Sequence, residues 1–279
     1  FCGNSGKIRI TDFSLLFMKY QGIYFMKKTL IALAVAASAA VSGSAMAWAP
    51  NGTGGSVDLG GTLTPADVIT PWEVKVGAAV NGLDADIRKG DTKVDIPVKN
   101  TIPVLGIRTV EAKAFAGAPG LSPQISYGNA LDVDAFKASV APLTLEVKDV
   151  NDAKIGSLTT DMFAQARTSM MGGWKGKFWN YASQAGQGFF GGVPKSAGKV
   201  STVDRVDELM PEAGQNYVNQ SAPDAGVNYS TFSGAPSTHS AYYFSVVESG
   251  KSIKITLDTP AGADAIVWKA SLPVTVSYQ

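Results

Sequence analysis

The feature that most constrains this chain is the return, from Trp72 onward, of short segments whose apolar residues occupy every second position. WEVKV sets Trp72, Val74 and Val76 on one face, KVDIPV does so with Val94, Ile96 and Val98, LTLEV with Leu143, Leu145 and Val147, and SIKITL with Ile253, Ile255 and Leu257. Period two is the repeat of a strand with one face buried and one in water. Turn-forming pairs separate the segments, in Asn81-Gly82, Gly90-Asp91, Pro119-Gly120 and Asn151-Asp152. Many short alternating strands between such turns predict an all-β sandwich.

Ahead of these strands, MKKTLIALAVAASAAVSGSAMA (residues 26–47) joins Lys27 and Lys28 to an apolar run from Leu30 to Val41 and to small residues, Ala45 and Ala47, around Met46. This is the pattern of a bacterial export signal, with cleavage expected after Ala47, and the apolar run is too short to span a bilayer. Residues 1–25 place no methionine at their front and read as translated leader rather than protein. The only cysteine, Cys2, falls there, so residues 48–279 close their core without a disulfide. Removing 47 residues from 279 leaves 232, enough for one large domain. The removed part holds Lys7, Arg9, Lys19, Lys27 and Lys28 against Asp12, which turns the +1 of the whole sequence into −3. A mildly acidic chain without basic blocks is not expected to bind nucleic acid.

The centre reads differently. From about residue 160 to 245 the alternation fades into glycine, aromatics and small residues. DMFAQARTSMM and STVDRVDELM read as helices, the second capped by Ser201 or Thr202, with Val203, Val206, Leu209 and Met210 at helical spacing and Pro211 at its end. An immunoglobulin-like domain is ~100 residues, so this region is expected to be a subdomain inserted into a sandwich that spans 65–279.

The two ends carry the most information. ASLPVTVSYQ places Ala270, Leu272, Val274, Val276 and Tyr278 on one face and Ser271, Pro273, Thr275, Ser277 and Gln279 on the other, a last strand with one apolar side. GSVDLGGTLT alternates in the same way through Val57, Leu59, Gly61 and Leu63, but one apolar slot is a glycine. Glycine inside a strand marks a place where something else approaches the backbone closely.

Together, MKKTLIALAVAASAA, GSVDLGGTLTPAD followed by WEVKVG and NGL, and the ending PVTVSY resemble a major subunit of chaperone–usher fimbriae, in the enterobacterial class whose large major subunit is also the adhesin. The resemblance implies an incomplete immunoglobulin-like sandwich completed by donor-strand exchange. It makes residues 48–64 an arm whose Val57, Leu59 and Leu63 enter pockets in the next subunit's groove, with Gly61 where the groove is shallow. It makes Leu272, Val274, Val276 and Tyr278 a groove wall and the strand that pairs with the chaperone. Pilins often carry a glycine shortly before this last strand, and Ile266 stands there instead. The implied partners are other copies of the chain, a periplasmic chaperone, an outer-membrane usher and host glycoproteins or glycolipids, and the implied location is a surface fimbrium reached through the periplasm.

Nothing in the sequence points to catalysis, a cofactor or a metal. His239, the one histidine, has Ser237 and Ser240 nearby but no nucleophile-elbow motif, and a loop position is expected for it. Asp84/Asp86 and Asp132/Asp134 lack a full calcium-loop pattern. GGWKGKFWNYASQAGQGFF and the later YY pair supply candidate sugar-stacking rings, namely Trp174, Phe178, Trp179, Tyr181, Tyr242 and Tyr243. The same rings are alternatively the small core of the insertion. Two other functions stay open: a shaft-only pilin, and a secreted lectin or carbohydrate-active enzyme with a paired-carboxylate cleft.

Overall fold

The computed structural model of the protein describes residues 59–61 and 69–279. The leader, the export signal with Ala45 and Ala47, and Val57 and Leu63 of the arm lie outside the described residues. The chain divides into a unit of residues 1–68 and a unit of residues 69–279, and the second holds every element named below.

Its strands are β1 (Trp72–Val76), β2 (Lys93–Pro97), β3 (Ile102–Thr109), β4 (Phe115–Ala116), β5 (Pro123–Ser126), β6 (Val140–Lys148), β7 (Lys154–Met171), β8 (Gly176–Asn180), β9 (Asp224–Asn228), β10 (Thr238–Val247), β11 (Ser252–Leu257) and β12 (Thr275–Tyr278). Two helices, α1 (Val206–Leu209) and α2 (Pro211–Gly214), lie between β8 and β9. The all-β architecture expected from period two is the one observed.

Ten strands form one sheet along the path β1-β3-β10-β7-β11-β2, and β5 with β12 makes a second, two-stranded sheet. The 18-residue β7 organises the large sheet. Its first half pairs with β6 and β11, and its second half with β8 and β10. The core fills the space that these strands enclose with Ile96, Leu105, Ile107, Leu143, Phe189 and Tyr243 among others.

In β11 the expected face is the buried one: Ile253, Ile255 and Leu257 point inward while Lys254 and Thr256 are exposed. In β1 only Trp72 is buried, and Val74 and Val76 remain exposed on a strand paired on one side alone, to β3.

The segment DMFAQARTSMM is not a helix but the second half of β7. Its helical appearance has a physical cause. One side of this part of the sheet packs on the central core through Met162, Ala164 and Ala166. The other side of the sheet carries a second cluster in which Phe163, Tyr242, Phe244 and Val246 meet Val206, Leu209, Met210 and Ala213 from around α1 and α2. A strand buried on both faces loses the polar half of its alternation. The limits 160–245 expected for the insertion therefore cut through β7 and β10, and the excursion between them runs over residues 172–237. The second expected helix exists as α1, shorter than predicted and without a side-chain cap from Ser201 or Thr202. Pro211 opens α2 instead of closing α1, a position where its missing N–H costs nothing.

The helices are tied to the sheet by charge as well as packing. Arg108 on β3 donates to the Glu212 carbonyl at 2.6 Å and pairs with Glu73 at 2.5 Å. Arg205 bridges Glu208 and the nearly buried Glu248, which holds its guanidinium pKa above the usual value.

Candidate functional site

Among the described residues, a cavity of about 1150 Å³ forms an apolar groove. Buried side chains from six strands line its interior, including Ile96, Val104, Leu143, Leu158, Val247 and Ile253. Much of the remaining lining comes from two segments outside any strand: Gly77–Ile87, which follows β1, and Ile266–Val274, which precedes β12. Each contributes apolar side chains that water partly reaches: Val80, Leu83 and Ile87 from the first, and Val267, Trp268 and Leu272 from the second.

The backbones of these two segments are nearly without partners. Gly77 donates to Val104 at 2.9 Å. From Ala78 to Ile87 no backbone–backbone hydrogen bond follows among the described residues. Lys269 exchanges two bonds of 2.9 Å with Lys148, but Ala270 to Val274 make none among the described residues. The alternation of the last ten residues is intact, with Ala270, Leu272, Val274, Val276 and Tyr278 half-buried and the residues between them exposed. Leu272 and Val274 line the groove, whereas Val276 and Tyr278 belong to β12, pair with Ile125 and Pro123 of β5 and pack on the core. Burial pushes the Tyr278 hydroxyl pKa up. The groove thus combines an apolar interior with main-chain donors and acceptors that have no backbone partner among the described residues, the two things an added strand requires.

Of the two described arm residues named above, Leu59 is 93% exposed, and a side chain at Gly61 would meet no atom within 4 Å.

Four of the six candidate sugar-stacking rings are closed to solvent. Phe178 and Trp179 sit on opposite faces of β8 and both are buried. Trp179 is covered by the Arg167 guanidinium 4.3 Å from its ring centre. Tyr242 lies beneath α1 and α2, edge-on to Tyr217 at 5.4 Å. Tyr243 stacks on Phe189 in the core and shares a 2.8 Å hydrogen bond with Tyr127, and burial pushes its pKa up to about 12. These rings are core for the reason that hid β7: the sheet is covered on both sides here. Trp174 is 42% exposed and leans on Phe178.

Tyr181 is half-buried and stands edge-on to Tyr229 at 5.7 Å, and Tyr229 is 44% exposed. Tyr229 lines a small cleft of about 400 Å³ together with Gln184, Gln187, Thr231 and Ser233, and no charged side chain is among its lining residues. Sequence reasoning missed these partners because the cleft joins stretches around 119, 186 and 231 that are far apart in the chain.

The family model described as "Fimbrial, major and minor subunit" matches residues 26–279. The chain belongs to this fimbrial family. The K88 fimbrial protein AC of Escherichia coli is 40% identical over 147 residues, 48% of this chain and 52% of the relative. The K88 fimbrial protein AB of Escherichia coli is 40% identical over 151 residues, 48% of this chain and 51% of the relative. The F41 fimbrial protein of Escherichia coli is 26% identical over 280 residues, 91% of this chain and 100% of the relative. The chain spans about half the length of the K88 relatives it matches.

His239 is on β10 rather than in a loop, 1% exposed, between Phe115 at 5.7 Å and Phe232 at 5.5 Å. Neither ring nitrogen has a hydrogen-bond partner among the described residues, and burial lowers its pKa to about 4. Among the described residues no group of three or more His, Cys, Asp or Glu is placed to hold a metal ion. Asp132 and Asp149 spend their carboxylates on turn amides, each accepting two backbone N–H groups. No helix among the described residues is long and apolar enough to cross a membrane.

Proposed function

We propose that this fimbrial chain polymerises by donor-strand exchange, with the arm of one copy laid into the groove of the next. The observation that carries the reading is the coincidence, in one apolar cavity, of two segments, 78–87 and 270–274, whose backbone groups have no ladder partner among the described residues. An inserted strand answers both needs. Its main chain supplies the ladder, and each apolar side chain it buries fully contributes about 1.5–3 kcal/mol. Val57, Leu59 and Leu63 are the side chains inserted, and Gly61 passes where the groove leaves no room. Before assembly the open groove is an aggregation hazard, so a periplasmic chaperone covers it, contacting the Leu272–Tyr278 strand, until delivery to an outer-membrane usher. Such a joint between copies needs no covalent chemistry, and its slow dissociation suits a fibre on the cell surface.

The test is to produce residues 48–279 with and without residues 48–63, each with the cognate chaperone, and to run the products on unheated gels. The longer chain is expected to give heat-sensitive ladders and the shorter one a single band. Ladders from both would overturn the reading.

Adhesion to host glycoproteins or glycolipids is a second reading, favoured by the cleft beside Tyr229. An aromatic face flanked by neutral amides and hydroxyls suits a sugar ring, and the lack of charged side chains suits an uncharged one. Tyr181→Ala and Tyr229→Ala in assembled fibres are each expected to weaken glycan binding by roughly tenfold, about 1.4 kcal/mol. Unchanged binding in both variants leaves a shaft pilin without receptor function.

A further inference from the structure

We propose that Asn81 is a spontaneous deamidation site that ages the open groove, so that a subunit left unassembled loses its ability to accept a strand. The inference rests on the groove reading given above.

Asparagine is chemically labile when the next backbone nitrogen can reach its side-chain carbonyl. That nitrogen bonds to the Asn Cγ, the Cγ–Nδ2 bond breaks, and the departing nitrogen takes the backbone amide proton and leaves as ammonia. Water then opens the cyclic imide at either carbonyl, giving aspartate or isoaspartate. The attack needs a following residue with little bulk, a mobile backbone and an amide not held in a ladder.

Asn81 has the small neighbour and the free amide that the attack needs. Gly82 follows it, and a Cβ at Gly82 would have no atom within 4 Å, so the turn is open. Gly82 holds φ +73°, a region that favours glycine. Both residues are exposed, and their backbones make no backbone–backbone hydrogen bond among the described residues.

Four other asparagines among the described residues differ from Asn81 in their surroundings. Asn180 is buried and hydrogen-bonded to Thr168 at 2.9 Å. Asn216, Asn219 and Asn228 each engage their side-chain amides with backbone groups, and each is followed by a bulkier residue. The second Asn-Gly pair, Asn51-Gly52, lies outside the described residues.

Position gives the reaction its consequence. Asn81 and Gly82 line the groove, where Asp84, Asp86 and Asp264 already place three carboxylates. Deamidation adds a fourth negative charge to that lining. Isoaspartate also lengthens the main chain by one carbon, which breaks the spacing that an incoming strand must match. A seated strand would order residues 78–87 and slow the attack, so assembly itself would protect the site.

The experiment incubates the chain of residues 48–279 at neutral to mildly alkaline pH, alone and with a synthetic peptide of residues 55–64, and maps Asn81 and Asn51 by mass spectrometry. Aged protein is then offered fresh subunits in the ladder assay. Asn81 is expected to convert within days, several-fold more slowly with the peptide, while the rate at Asn51 is unchanged. Asn81→Gln should keep its assembly competence after the same incubation. If Asn51 converts while Asn81 stays amidated, or if fully converted subunits assemble as well as fresh ones, the proposal is overturned. Conversion that the peptide does not slow, in protein that also makes no ladders when fresh, overturns the groove reading and leaves the chemical lability of Asn81 standing.

Discussion

A chain carrying Leu59→Asp is expected to be exported and to fold with an unchanged unfolding midpoint, yet to form no ladders. The separation of the two readouts follows from where the side chain is. In the subunit Leu59 is 93% exposed, so its replacement takes nothing from the fold. In a fibre the same position would enter the groove. There the substitution loses about 1.5–3 kcal/mol of apolar burial and adds the cost of drying a carboxylate, several kcal/mol in proteins. A joint weakened by roughly 5 kcal/mol is more than a thousandfold looser. Gly61→Val is a second variant with the same logic, since a side chain there meets nothing in the free subunit. Unheated gels check both, beside chemical denaturation of the chaperone-free subunit. Normal ladders from both variants would remove the arm from the mechanism.

Acid is expected to destabilise the sandwich through His239, by about 3 kcal/mol between neutral pH and pH 4. The folded-state pKa, about 4, lies below the ordinary value near 6.5. The unfolded chain therefore binds the proton first. Above about pH 6.5 both states are neutral and the residue exacts no penalty. As pH falls toward 4 stability drops by about 1.4 kcal/mol per pH unit, and below 4 the loss levels off as the folded form is protonated too. The cause is geometric: the ring is enclosed by Phe115 and Phe232 and neither nitrogen has a partner. Carboxylates titrate in the same window, so a variant must isolate the histidine. His239→Leu is expected to match or exceed the wild type in urea midpoint at pH 7.5 and to fall less at pH 4.5. Parallel declines in the two proteins would exclude His239 as the source.

The buried histidine also shows why some residues were misplaced from sequence. PSTHSAYYF has the serines and small residues of a loop, yet Thr238–Val247 is a central strand with neighbours on both sides. Its Ser240 and Ser245 are buried and hydrogen-bonded, to Val218 and to Tyr127. Polar residues in a strand interior look like loop residues until their partners are known, and those partners come from distant segments.

What the sequence determined by itself was everything that depends on near neighbours. The alternation of residues 275–278 and of 252–257 specified strands and their inner faces, because period two alone decides which side chains share a side, whereas residues 270–274 keep the alternation without joining a strand. The class of fold and the family likeness were legible for the same reason. Tertiary structure decided the rest. Only the packing of α1 and α2 on the outer side of β7 and β10 converts Tyr242 from a candidate surface ring into core. The groove exists because segments nearly two hundred residues apart line one cavity and find no partner strand among the described residues. A missing neighbour is a property of the assembled sheet, and no single stretch of sequence records it.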